Sequence, residues 1–153
     1  MKKTTFINIL LADDDKDDCL FFKEAIEELP FATSLAIVHD GDQLMEHLEN
    51  VSAQLPHVLF LDLNMPRKNG FECLEEIKKH AILKHLPIIV YSTSYDIEKI
   101  NQLYKTGANH YICKPTDFEE LKKVVYDAIV LVKQNDIQTS KANFVVSKLK
   151  PVF

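Results

Sequence analysis

The chain has 153 residues, 46% of them apolar, with three glycines, six prolines and a formal net charge of -5. Those figures suit one domain with a real core, exclude a low-complexity chain, and lack the basic field of a direct nucleic-acid binder. No apolar run approaches a membrane span, and residues 1–12 have neither the apolar centre nor the cleavage site of a secretory signal, so a cytoplasmic protein without membrane contact is expected.

The first apolar run, residues 7–12, stops at Asp13, Asp14 and Asp15. A helix is predicted over 17–29, with Cys19, Phe22, Ile26 and Leu29 on one stripe and Pro30 beyond its end. A second run, 35–39, leads to Asp40 and a helix carrying Leu44, Met45 and Leu48. The third run, 58–63, contains Asp62 and continues into Asn64, Met65 and Pro66. The helix after Asn69 places Phe71, Leu74 and Ile77 together. The fourth run, 88–92, ends in Ser92, and the helix over 96–105 is stopped by Gly107. The fifth run, 111–113, gives way to Lys114 and Pro115, and Asp117 is placed to cap a helix carrying Phe118, Leu121, Val125, Ala128 and Val132.

These runs are rich in Ile, Leu and Val and read as strands buried on both faces. Strands alternating with helices imply an α/β fold, a (βα)5 doubly wound sheet of five parallel strands. Residues 1–133 hold this domain. Residues 134–153 stand apart as a C-terminal tail with a net charge of +2, too short for an output domain, and read as frayed or as packed on the body or a second subunit through the apolar 144–146 patch. Cys19, Cys73 and Cys113 have no metal-ligand spacing and read as reduced core thiols.

In a parallel sheet the carboxyl ends of the strands share one edge, where open α/β sheets place their sites. Asp13, Asp14, Asp62, Ser92 and Lys114 then converge. Clustered carboxylates repel, and a hard divalent cation such as Mg2+ relieves that repulsion. A carboxylate can attack phosphorus to form an aspartyl phosphate, and the charge on the transferring group calls for a cation beside it. Lys114 can be that cation, and the Ser92 hydroxyl can donate to a phosphate oxygen. Asp15, Asp17 and Asp18 read as the solvated start of a helix. Gly70 reads as a turn requirement.

The stretches ILLADDD, LFLDLNMPRKNG, IIVYST and GANHYICKP resemble bacterial response-regulator receiver domains, over about residues 5–132. Lys114 lies 22 residues after Ser92, and Tyr111 three before the lysine, as in that family. The resemblance implies a flavodoxin-like sheet in the order 2-1-3-4-5. It implies Mg2+ held by Asp13, Asp14, Asp62 and the Asn64 carbonyl, and phosphorylation of Asp62 by a sensor histidine kinase or histidine phosphotransfer protein. Ser92 and Lys114 would assist, and Ser92 with Tyr111 would form a switch that changes a protein-binding surface for a downstream target. A cis bond before Pro115 is also implied. Thr93 departs from the smaller Ala or Gly usual at its position, and Asn64 and Ser94 occupy the two positions that tune phosphate lifetime. The response-regulator reading therefore expects a single phosphoacceptor domain, with room for a homodimer, rather than an enzyme with turnover.

Three other readings fit less well. A calcium loop over Asp13, Asp15, Asp17 and Glu24 has Asp18 where the turn needs glycine, and Leu20, Phe21 and Phe22 where it should be polar. An Asp-nucleophile phosphatase of the haloacid-dehalogenase type has an acid two residues after the nucleophile, and here that position is Asn64. A docking module that needs no phosphorylation would have no cause to keep every site position filled.

Overall fold

The computed structural model describes residues 6–50, 54–134 and 140–146. The apolar runs and amphipathic stretches resolve into β1 (Phe6–Ala12), α1 (Lys16–Glu27), β2 (Ala32–Val38), α2 (Gly41–Asn50), β3 (Val58–Leu61), α3 (Gly70–Lys79), β4 (Ile88–Ser92), α4 (Ile97–Thr106), β5 (His110–Cys113) and α5 (Phe118–Gln134), with short 3-10 turns at Leu83–His85 and Lys141–Asn143. All strand pairs are parallel and the order is β2-β1-β3-β4-β5, the doubly wound arrangement expected.

Alternate side chains of each strand feed two cores. Leu10, Ala12, Leu59, Leu61, Ile88 and Val90 pack with α2, α3 and α4 on one face. Ile9, Leu11, Val58, Phe60, Ile89 and Tyr91 pack with α1 and α5 on the other. This division explains why β1, β3 and β4 read as continuous apolar runs: both faces are dry. β2 does not follow that expectation. It lies at the sheet edge, its residues alternate between exposed and part-buried, and it begins at Ala32 because Thr33 and Ser34 pair with β1 although they lack an apolar signature. β3 stops at Leu61, so Asp62 and Leu63 already belong to the loop.

Helix starts follow side-chain chemistry. Asp15 accepts from the Asp18 N–H at 3.0 Å to begin α1, and Asp40 accepts from Gln43 N–H at 2.8 Å beside α2. Asn69 and Glu72 exchange side chain to main chain bonds in a capping box on α3. Asp96 and Asp117 accept from first-turn N–H groups of α4 and α5. Gly107 ends α4 with φ 115°, a left-handed value that glycine adopts without a Cβ clash. Cys19 and Cys73 are core thiols and Cys113 is half-buried beside the core: burial pushes the first two up to about 12 and also raises Cys113.

The described part of the tail packs on its own domain. The Phe144 carbonyl accepts from Tyr111 N–H at 3.0 Å, and Val146 N–H donates to the Tyr111 carbonyl at 2.9 Å, closing a parallel bridge on the free edge of β5. Phe144 is 1% exposed and its ring meets Tyr104 and Tyr111 at 5.3 and 6.4 Å. Of the three readings of the tail, frayed, packed on the body or packed on a second subunit, the described part follows the second, with Phe144 spent on the domain's own core. The tail positions 135–139 and 147–153 lie outside the described residues.

Candidate functional site

The register of the sheet sets out the site. Ala12 pairs with Leu61, so Asp13 and Asp62 follow side by side. The Asp62 N–H donates to the Ala12 carbonyl at 2.9 Å, and the Asp13 N–H to the Val38 carbonyl at 3.0 Å. Ser92 pairs with Cys113, and the Lys114 N–H donates to the Ser92 carbonyl at 2.7 Å. Four strand ends thus deliver their polar residues to one edge.

Asp13, Asp14 and Asp62 each offer a carboxylate oxygen, and the three oxygens lie within 4.8 Å of one another. Asp13 and Asp62 are buried and Asp14 faces solvent. Two dry carboxylates and one wet one in that space could hold a hard divalent cation, which keeps part of its water shell. Burial, with the neighbouring Asp13 charge, pushes Asp62 up to about 7, although Lys114 and a 3.5 Å contact from the Asn64 N–H oppose the rise. A carboxyl raised by burial and a neighbouring carboxylate holds its proton more tightly, and a protonated oxygen is a poor nucleophile. The residues present fit a divalent ion for that reason.

Lys114 crosses the cluster. Its ammonium donates to Asp13 Oδ2 and to Asp18 Oδ2, each at 2.8 Å, lies 3.9 Å from Asp62 Oδ2, and sits 5.0 Å from the Tyr91 ring centre. Burial alone would lower this lysine, but the bonds to Asp13 and Asp18 and the Asp62 charge leave it raised. It is a cation throughout the ordinary pH range. Asp18, whose place in the sequence is that of a solvated helix start, is the contact of Lys114 that no pattern in the chain announces. Asp15 does act as the helix cap, and Asp17 is exposed.

Ser92 is fully buried, and its hydroxyl lies 3.3 Å from that of Ser94. Tyr111 is buried, its hydroxyl donating to the Ser94 carbonyl, so the expected switch pair is linked through residue 94. The Lys114–Pro115 bond departs from expectation: no cis peptide occurs among the described residues. An X–Pro bond prefers trans by only about 0.5–1 kcal/mol, so surrounding structure decides the isomer. Gly70 is also explained differently. A Cβ there would stand 2.2 Å from the Asp62 carbonyl, so glycine is required by close approach to the Asp62 backbone. His39, at the end of β2, bonds the Asp13 carbonyl through Nδ1 at 3.0 Å and helps to fix that strand end.

Residues 9–126 match the family model described as the response regulator receiver domain. Among curated proteins, the chain is 33% identical over 121 residues to Response regulator Rcp1 of Synechocystis sp., covering 76% of this chain and 82% of that one. It is 32% identical over 120 residues to the Probable methanogenesis regulatory protein FilR2 of Methanothrix harundinacea, covering 76% and 77%. Among solved structures it is similar to the phosphorylated cyanobacterial phytochrome response regulator RcpA, with TM-score 0.76, 31% identity, and 86% and 96% of the two chains covered. The Mn(2+)-bound form of Rcp1 aligns with TM-score 0.72 and 29% identity, over 88% and 96%.

Proposed function

The chain belongs to the response-regulator receiver family, a family of signalling domains, and from that premise we propose that Asp62 accepts a phosphoryl group from a phosphohistidine. The observation that carries the reading is the placement of the Lys114 ammonium between Asp13 and Asp62, against a trio of carboxylates close enough to share one cation.

An Asp62 oxygen forms a bond to phosphorus, the bond from phosphorus to the imidazole nitrogen of the donor breaks, and the leaving imidazole keeps that electron pair and takes a proton from solvent. Asp13, Asp14 and Asp62, with the Asn64 carbonyl, would hold Mg2+, which when bound neutralises the crowded carboxylates and the charge of the phosphoryl oxygens. Lys114 supplies a fixed cation from within the protein, already buried and pointed at the nucleophile, so little reorganisation is needed as charge develops. The Ser92 hydroxyl, which lies 3.3 Å from that of Ser94, would turn from it to donate to a phosphoryl oxygen. Tyr111 then loses or keeps its bond at residue 94 according to that turn, which biases the surface of α4 and β5 between two states. The donor is a sensor histidine kinase or a histidine phosphotransfer protein, and the output is contact with a downstream protein or onward passage of the phosphoryl group. Among the described residues no helix is long and apolar enough to cross a membrane, which is compatible with a cytoplasmic site of action. The solved relatives support both halves of the proposal, since RcpA was solved phosphorylated and Rcp1 with Mn2+.

The test is labelling by acetyl phosphate with Mg2+. The wild type is expected to gain one acid-labile, hydroxylamine-sensitive phosphoryl group, and Asp62→Asn to gain none. Equal labelling of the two proteins would overturn the assignment. A beryllofluoride titration that needs Mg2+ and fails with Asp62→Asn would corroborate it in solution.

A further inference from the structure

We propose that Asp18 is a positioning residue for Lys114, the carboxylate that keeps the ammonium at the mouth of the site when Asp13 engages a cation. The proposal rests on the phosphoacceptor reading of Asp62. Lys114 Nζ is held equally, at 2.8 Å, by Asp13 and by Asp18. The two carboxylates are not equivalent. Asp13 belongs to the group of three whose oxygens approach within 4.8 Å, and Asp18 stands outside it, on the first turn of α1. Any cation that draws charge from Asp13 weakens one arm of this fork and leaves the other intact.

Local geometry supports a specific role. Asp18 is the third residue after the cap Asp15, the position from which an acid commonly bonds back to the cap's N–H. In this chain the Asp15 N–H is taken by Asp13 Oδ1 at 3.0 Å, and Asp18 turns its carboxylate to Lys114 instead. Its side chain is only 34% exposed, whereas Asp17 beside it is exposed. The lysine itself is 7% exposed, so the fork acts where water competes weakly and a charged hydrogen bond counts for more. Without Asp18, Lys114 keeps one close carboxylate, Asp13 at 2.8 Å, with Asp62 at 3.9 Å and the Tyr91 face at 5.0 Å as longer contacts, and its flexible stem samples more positions before a phosphoryl group arrives.

Phosphorylation rates from acetyl phosphate at saturating Mg2+ would test this with Asp18→Asn, which keeps size and helix start but removes the charge. The rate is expected to fall roughly tenfold, the scale of one charged hydrogen bond, with the Mg2+ affinity of the protein unchanged. Asp17→Asn removes the same charge from the same helix turn and is expected to react at the wild-type rate. In a Lys114→Ala background, Asp18→Asn is expected to have no further effect. An Asp18→Asn rate equal to wild type would overturn the proposal, as would an equal loss from Asp17→Asn or an undiminished loss without the lysine. A wild type that takes up no phosphoryl group would overturn the Asp62 reading and this one together, whereas a labelled wild type with an indifferent Asp18→Asn removes this one alone.

Discussion

Replacing Asp62 with Asn should make the metal-free protein more stable above pH 5, by an amount that grows with pH. The carboxyl rises from an ordinary 3.8 to about 7 in the folded chain, because burial and the Asp13 charge outweigh the attraction of Lys114. Below about pH 4 the group is protonated in both folded and unfolded chains and has no effect on stability. Between those values the unfolded chain releases its proton while the folded chain keeps it. The unfolded state then binds fewer protons, and stability falls as pH rises, by about 1.4 kcal/mol per unit. The deficit stops growing above about pH 7, where the folded group also ionises, and its ceiling is about 4 kcal/mol. Asn fills the same space without a titrating charge, so the variant escapes that loss. Urea unfolding of both proteins in a chelator, from pH 4.5 to 8.5, measures the difference. A gap of about 1 kcal/mol at the acid end that widens to a plateau near neutrality is expected. A constant gap across the series would refute the account of Asp62 as a buried acid held partly protonated by its neighbours.

Other outcomes follow from the same geometry. Mg2+ should stabilise the wild type against urea in proportion to the logarithm of its concentration and should do so much less for Asp62→Asn, since binding to the folded state alone shifts the equilibrium. Asp14→Ala should weaken Mg2+ binding, read by calorimetric titration, with little change in stability because the residue is exposed; unchanged affinity would remove it from the metal shell. Gly70→Ala should slow phosphorylation of Asp62 and lower the thermal midpoint, since the added methyl meets the Asp62 carbonyl at 2.2 Å and one of the two must move. Phe144→Ala should speed amide exchange at Tyr111, whose N–H bonds the residue 144 carbonyl, and should cost up to about 3 kcal/mol, the scale of removing a buried Phe, capped by what docking of the tail contributes. Unchanged exchange at Tyr111 would show that the tail's hold on β5 does not depend on that ring.

Most of the site was legible before any coordinates because it sits where patterns break. A carboxylate, a hydroxyl and an ammonium that each end an apolar run must lie on one edge of a parallel sheet, so Asp13, Asp62, Ser92 and Lys114 could be brought together from strand periodicity and the rule for open α/β sheets. The helix ends were equally readable, since Asp15, Asn69, Asp96 and Gly107 act on main-chain groups within a few residues of themselves. What escaped the sequence depends on contacts between distant segments. Asp18 and Lys114 are 96 residues apart, and nothing in the first turn of α1 announces which way its carboxylate points. Thr33 and Ser34 hid the start of β2 because an edge strand is free to be polar on its wet face. The role of Gly70 came from the Asp62 carbonyl, not from its own turn. The sequence leaves Phe144 open between fraying, the body and a second subunit, and the edge of β5 for its main chain with two tyrosine rings for its side chain decides for the body. Periodicity and capping report the chain's local preferences, whereas the partner of a side chain is chosen by the three-dimensional packing of elements that the sequence keeps far apart.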